Sequence, residues 1–409
     1  MLRPSRRLGF LAVLGLLFVS MLIGCEDSDA DEGGAAEATP NPTLVPWQRA
    51  GTPLSLENVT ELTLLGRLDA HETTVVTLSF SSDSSFLATA NLGNSPRIRV
   101  WNLASGRSVL DLENIAARWL LFGPESETFL TISQDQEIQE WSLFDQTLRQ
   151  TLTAQNASIG TVDQTTDQQR IAIGGRLGRI YLFTTDPLTS EGFIEAHPII
   201  PVQLVRFTPD GSQVVSLADG GSVKLWDFAT GELVHDFGRF DPVPSQVAIS
   251  PDGSLLAIAK TTSIELWDIN EFSLLRTVVI RNNAAAVYLE FSQDGSTLIG
   301  YGAGDAVSLW DVETADLLVE LPGHGDGVVG VVPALEEDLL ISGARQTNLF
   351  LWDMAPLEQI TTADEEVELR RRQIAPTGVD VYRLAWSPDR RWIAFTDTLG
   401  RVYIMGVPE

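Results

Sequence analysis

One unit recurs along most of this chain and limits what it can fold into. It is clearest from Thr208 to Leu233, TPDGSQVVSLADGGSVKLWDFATGEL, which reads as turn, strand, turn, strand, turn. Thr208–Pro209–Asp210–Gly211 puts Pro at the second and Gly at the fourth position, as a type I β-turn prefers. Gln213 to Leu217 and Ser222 to Trp226 are short Val- and Leu-rich runs bounded by Gly and Asp, the marks of strands. Ala229–Thr230–Gly231 turns the chain again. Trp226 closes the unit, and its counterparts are Trp101, Trp141, Phe183, Trp267, Trp310, Trp352 and, in the weakest copy, Met405. Taken in chain order the markers are separated by 40, 42, 43, 41, 43, 42 and 53 residues. Asp follows the Trp at Asp227, Asp268, Asp311 and Asp353, while Asn102 and Ser142 stand there in the first two copies.

A period of about 40–45 residues closed by Trp-Asp is the signature of a propeller blade. The opening turn also recurs, as Ser250–Pro251–Asp252–Gly253, Ser292–Gln293–Asp294–Gly295 and Ser387–Pro388–Asp389–Arg390. These residues resemble the WD40 repeat family over about Val59 to Glu409. The resemblance implies an all-β propeller whose repeats each supply strands a, b, c and d of a blade. Eight such units are expected, or seven if the Phe183 copy or the terminal copy is irregular. The last unit, Tyr382 to Met405, has almost no chain after it for a strand d. Val59 to Leu68, ahead of the first unit, has the pattern of the missing strand and is expected to close the ring.

In this family a blade is often stapled by a His before strand a, a Ser or Thr on strand b, an Asp in the b–c turn and the Trp. The resemblance puts His71, His197 and His324 in the His place of copies one, four and seven, and Asp135 in the Asp place of copy two. No copy carries all four groups, so stability is expected to rest more on apolar packing between blades. A metal site built from the three histidines does not fit blades spread around an axis.

The chain has 409 residues, 44% of them hydrophobic, enough for a large core in one closed domain. Formal net charge is −28, and removing residues 1–24 takes away Arg3, Arg6 and Arg7 and no acid, giving −31. A surface of that sign repels phosphate backbones, so nucleic acid is not an expected partner.

The lone cysteine, Cys25, excludes an internal disulfide and a cysteine-based metal site. Arg3, Arg6 and Arg7 precede an apolar run from Leu8 to Ile23, broken only by Ser20, of signal-peptide length. Leu22–Ile23–Gly24–Cys25 resembles a bacterial lipobox, which implies that Cys25 receives a diacylglyceryl group and becomes the mature N-terminus. Glu26 to Pro46 carries six acids, no base and three prolines, and such a segment cannot bury enough to fold. Asp27, Asp29 and Asp31 alternate like a calcium loop, but Gly33 comes one place late and Ala38 stands where a Glu is needed. The expected organisation is a signal peptide over 1–24, a lipidated tether over 25–57 and a monomeric propeller over 58–409. The expected location is the outer face of the cytoplasmic membrane or the outer membrane of a bacterium.

Gly325–Asp326–Gly327–Val328–Val329–Gly330 matches G-x-G-x-x-G, but strands flank it and no helix follows to meet a pyrophosphate. No catalytic residue, metal or cofactor is assigned. In this family the d–a and b–c loops emerge on one rim and the a–b and c–d loops on the other. The a–b turns are nearly uniform, whereas the d–a and b–c loops vary. They supply Arg118, Trp119, Arg176, Arg179, Phe240, Lys260, Arg345 and an insertion over 364–379, which is either an ordinary charged loop or a short exposed helix supported by its Glu-Arg pairs. Arg and aromatic residues are enriched at interface hot spots. The expected function is therefore a membrane-anchored scaffold for a protein partner. The alternatives are an envelope-assembly lipoprotein, similar in architecture to the eight-bladed propeller of the outer-membrane assembly machine, or an enzyme or small-ligand binder using the central channel.

Overall fold

The structure, a computed structural model, describes residues 47–409 apart from 56, 134–135, 155–157, 281–285, 303, 326, 335–338, 346–348, 356–370 and 375–378. Cys25, the tether up to residue 46, Asp135 and the Glu-Arg pairs before residue 371 lie outside the described residues.

Blade 4 shows how the repeat becomes structure. Strands Val202–Phe207, Gln213–Ala218, Ser222–Asp227 and Leu233–Arg239 pair antiparallel in the order a-b-c-d. Strand b is covered on both faces, so Val214, Val215 and Leu217 are all buried, whereas strand d exposes Leu233 and Val234 at the outer edge. A strand buried on both faces reads as a continuous apolar run, which is what the sequence shows at VVSLA.

Eight four-stranded sheets of this kind complete the fold, so the ring has eight blades. Strands a of neighbouring blades touch around most of the ring, which places them innermost. Eight apolar clusters fill the eight gaps between adjacent blades. Trp226 and Val214 of blade 4, for example, pack against Ile180 and Leu182 of blade 3. The marker residue is thus an interface residue, which explains why Phe183 and Met405 can stand in for Trp: each is buried in the same kind of gap.

Blade 8 takes strands a, b and c from Arg383–Trp386, Ile393–Thr396 and Arg401–Gly406, and its strand d from the other end of the chain, Thr63–Asp69. The register runs from Thr63 opposite Gly406 to Asp69 opposite Arg401. The front of the expected closing stretch is a 3-10 turn, Val59–Glu61, instead of strand.

Two readings of the sequence need correction. Residues 47–54, expected as the end of the tether, pack on the propeller, so the folded domain begins before residue 58. Trp47 stacks on Trp392 with ring centroids 6.3 Å apart, and its indole N–H donates to the Leu103 carbonyl at 3.0 Å. Ala50 bridges to Pro408, and Leu54 is buried with Val59 and Val407. Gly66 and Gly106 make room for the ring: a Cβ on either would lie 2.4 or 2.3 Å from it, and Gly106 also sits at φ +66°. This strap therefore spans the seam between blades 8 and 1. The second correction concerns Arg371 and Arg372. They belong to strand d of blade 7, Arg371–Gln373, opposite Trp352 and Leu351, and are not helical. The Arg371 guanidinium lies 4.6 Å from the Phe350 ring centroid, a cation–π contact that an outer strand can make and a solvated helix cannot.

Candidate functional site

Backbone hydrogen bonds tie each d–a loop to a b–c turn. The N–H groups of His71, His197, Phe240, Ile280 and His324 donate to the carbonyls of Gly400, Gly178, Gly221, Thr262 and Asp305. The c–d turns are tied to the a–b turns in the same way, Leu103 to Ser85 and Phe228 to Ser212. The two loop sets therefore form two separate rims.

Beneath the first rim the staples take shape. In blade 4 the Trp226 indole N–H donates to Ser216 Oγ at 2.9 Å, and His197 Nε2 lies 2.8 Å from the same oxygen. Blade 1 repeats this with Trp101, Thr89 and His71 at 3.1 and 2.9 Å, and blade 7 with Trp352, Ser342 and His324 at 2.8 and 2.6 Å. His324 shows the protonation state: Nδ1 donates to the Asp305 carbonyl at 3.1 Å, so Nε2 accepts the Ser342 hydroxyl. Burial pushes His71 and His197 down to about 4, with Arg99 and Arg97 assisting at the first and Lys224 at the second. Burial also lowers His324. Blades without the histidine differ in an interpretable way. Trp141 still finds Thr131 Oγ1 at 3.1 Å. Where Phe183 replaces the Trp there is no N–H to satisfy, and Ile173 replaces the hydroxyl. In blade 5 Ile258 occupies that position, and Trp267 donates to Glu265 at 3.0 Å instead. Trp310 faces a blade whose corresponding residue is Gly300.

The Asp of Trp-Asp caps the c–d turn. Asp227 accepts the Thr230 N–H at 2.8 Å, Asp268 those of Asn270 and Glu271, Asp311 that of Thr314, and Asp353 that of Ala355. On the a–b side, six turns share one device: Ser81, Thr165, Thr208, Ser250, Ser292 and Ser387 donate hydroxyls to the Asp two residues on.

The seven rim residues do not form one cluster. Arg118 precedes strand a of blade 2 and Trp119 begins it, packed toward blade 3; the guanidinium lies 5.6 Å from the indole centroid, and both are half-buried. Arg179 is held by Glu195 at 2.6 Å, and Lys260 is ion-paired with Glu265, so two of the cations are already neutralised. Phe240 packs edge-on against Trp267 and is half-buried. Arg345, across the ring in blade 7, is exposed and lies 5.7 Å from the Tyr382 ring. Arg176 is exposed in the b–c turn of blade 3.

What the structure does bring together is a patch that the sequence reading missed. Leu177 is 52% exposed, Ile199 87% and Ile200 37%, and the Ile199 N–H donates to the Leu177 carbonyl at 3.1 Å. Arg176 adjoins Leu177, and both Ile200 and the Arg239 guanidinium approach Gly220 to within 4 Å of where its Cβ would stand. Ile199 is held at φ +63°, a costly conformation for a β-branched residue. The signal available in the sequence was His197–Pro198–Ile199–Ile200–Pro201, two isoleucines in a loop where turn residues are expected.

Comparison with known proteins agrees with this geometry. The family description "WD domain, G-beta repeat" matches residues 62–102 and 190–227. This chain carries WD40 repeats. Similar stretches occur in autophagy-related protein 16 of Arabidopsis thaliana, 27% identical over 37% of this chain and 30% of that protein. The nuclear distribution protein nudF of Aspergillus niger is 23% identical over 43% of this chain and 40% of its own length. WD repeat and SOCS box-containing protein 1 of Danio rerio is 29% identical over 28% of this chain and 27% of its own. The WD40 propeller thus matches less than half the length of each of these relatives. Among solved structures, the computationally designed Ika8 protein aligns with a TM-score of 0.65 at 18% identity, covering 83% of this chain and 98% of that one, a likeness of fold. Among the described residues no group of three His, Cys, Asp or Glu could hold a metal ion, and no helix is long and apolar enough to cross a membrane.

Proposed function

We propose that this WD40 propeller is a non-catalytic scaffold, exported and lipid-anchored at a bacterial membrane, whose d–a/b–c rim docks a protein partner. The observation that carries the docking is the patch on blades 3 and 4, where Leu177, Ile199 and Ile200 are exposed beside Arg176 and Arg239. Contiguous exposed apolar residues rimmed by polar groups mark interaction sites, and arginine is among the residues enriched at interface hot spots. On a chain of net charge −28 these cations are a local minority and favour an acidic segment of the partner. A rigid ring presenting variable loops suits binding better than chemistry.

The anchor rests on the sequence alone: the basic start, the apolar run and Leu22–Ile23–Gly24–Cys25. Each buried lipid methylene contributes about 0.8 kcal/mol, and stable attachment needs two chains or more. A single propeller closes on its own N-terminal strand, so the scaffold acts as a monomer.

The test is affinity capture from membranes, with identification of the co-purifying proteins. Ile199→Asp combined with Arg176→Glu should lose the partner at unchanged melting temperature. Capture that survives this pair, but is lost on changing Asp210, Asp252 and Asp294, places the contact on the opposite rim. For the anchor, Cys25→Ser should give an unprocessed or soluble protein. Membrane retention of that variant at mature mass, after a high-salt wash, would refute lipidation.

A further inference from the structure

The inner surface of blades 3 to 6 holds a cavity of about 690 Å³ that opens among the a–b turns, on the rim opposite the patch described above. That volume lies within the usual span for small-molecule sites, about 300–1,000 Å³. Its charge is set by one position in the repeat. The strand-a residue opposite the strand-b position that follows the marker's partner is Ser79, Leu121, Asp163, Arg206, Ala248, Glu290, Val332 and Ala385 in blades 1 to 8. The three charged residues fall in blades 3, 4 and 6, and the small Ala248 between Arg206 and Glu290 leaves the space open.

The groups in this arc are only partly satisfied. Asp163 accepts the Phe207 N–H at 2.7 Å and lies 3.7 Å from the Arg206 guanidinium. Arg206 donates to the Val205 carbonyl at 3.0 Å. One Glu290 oxygen accepts the Tyr301 hydroxyl at 2.9 Å, and the other accepts no hydrogen bond among the described residues. Tyr288 stacks on Tyr301 at 5.1 Å and is 41% exposed, so one face of its ring is open to the cavity it lines.

From this arrangement we infer that the cavity binds a small hydroxylated primary amine, of amino-sugar size. Two carboxylates against one guanidinium leave one negative charge, which a monocation balances and a zwitterion does not. Glu290 and the open Tyr288 face suit an ammonium group. The unused Arg206 donors suit neutral hydroxyl oxygens. Burial raises both Asp163 and Glu290, and an arriving ammonium offsets that by favouring their ionised forms. Arg206, Tyr288 and Tyr301 are the other ionisable groups that face them.

Titration calorimetry of the full chain with glucosamine tests this. Binding is expected, with an affinity that falls as pH is lowered and the two carboxyls take up protons. Glucose, lacking the ammonium, should bind at least about tenfold more weakly. Glu290→Gln keeps an acceptor for Tyr301 and should cost at least about tenfold. Ala248→Leu fills the gap without touching a charge and should cost as much, which keeps the test decisive if Glu290→Gln fails to fold. Absent glucosamine binding, equal binding of glucose, or unchanged binding in a folded variant of either kind overturns the inference. None of these outcomes bears on the scaffold rim, which lies on the other side.

Discussion

The staple in blade 4 makes folding sensitive to mild acid. Ser216 accepts the Trp226 N–H, and with the proton of the neutral ring on Nδ1, as in His324, His197 Nε2 at 2.8 Å is the acceptor for the Ser216 hydroxyl. A proton on Nε2 would force Ser216 to accept twice and leave its own proton without an acceptor, in a site where His197 is 3% exposed. Burial pushes the folded ring down to about 4, against the ordinary 6.5 of an exposed imidazole. Its pKa is therefore depressed by folding, and between those two values the unfolded chain binds more protons. The stabilisation is complete above 6.5, and is lost as pH falls through that window toward 4. At about 1.4 kcal/mol per unit, most of the loss between pH 7 and 5 comes to about 1–2 kcal/mol for this ring, once solvent screening through the loops above it is allowed for. The assay is denaturant unfolding at pH 7 and pH 5 for the parent and for His197→Gln. Contributions from His71, His324, Asp163 and Glu290 are common to both proteins and cancel in the comparison. The variant should be less stable than the parent at pH 7 by about 1–3 kcal/mol, and the gap should close by about 1–2 kcal/mol at pH 5. A gap of equal size at both pH values would refute the reasoning.

Three further outcomes are expected. Thr131→Val removes the acceptor that the described residues give the buried Trp141 N–H in blade 2, at almost constant volume, and should cost about 1–3 kcal/mol in unfolding free energy; no loss would mean that the indole finds another acceptor. Trp47→Ala removes a half-buried ring, its stack on Trp392 and its bond to Leu103, and should cost about 2–3 kcal/mol, measured as a fall in melting temperature, while a variant melting like the parent would show that the strap is dispensable. Deleting 59–69 leaves blade 8 one strand short with strand c as an exposed edge, so light scattering should report oligomers; a monomeric, equally stable deletion would contradict ring closure by this strand.

The repeat made the architecture legible because the marker Trp, the Asp-Gly turns and the strand runs are local signals that recur in phase. Closure was legible for the same reason: the last copy lacked a strand and Val59 to Leu68 supplied one. The strap was not, because the site for Trp47 is assembled from Gly66, Gly106 and Trp392, which the sequence scatters over two blades and both ends of the chain. The candidate rim was legible only as loop positions. Whether an arginine is free depends on its cross-strand neighbour, and Arg179 and Lys260 meet Glu195 and Glu265 across the sheet. The inner arc needed the register, since a one-residue slip would turn Asp163, Arg206 and Glu290 from the cavity into the blade. Strand d of blade 7 was masked by its composition, because Arg371–Arg372–Gln373 has no β-branched or aromatic residue to announce it.

The strap also decides how the molecule bears load. A pull transmitted through residue 47 meets Trp47 on Trp392, the Arg49 bond to Ala104 and the Ala50–Pro408 bridge before it reaches the closing strand. Backbone bonds from Gln48 to Leu65, Gly51 to Val407 and Leu54 to Arg390 add to these, but they are scattered along the strap, whereas Thr63–Asp69 is held by a continuous antiparallel ladder. Tension on the N-terminal side therefore loads 47–54 first, and the closing ladder of Thr63–Asp69 only after the strap has come away. Placed there, the segment would serve as a sacrificial link, taking up a tug from the N-terminal side before the eight blades bear it.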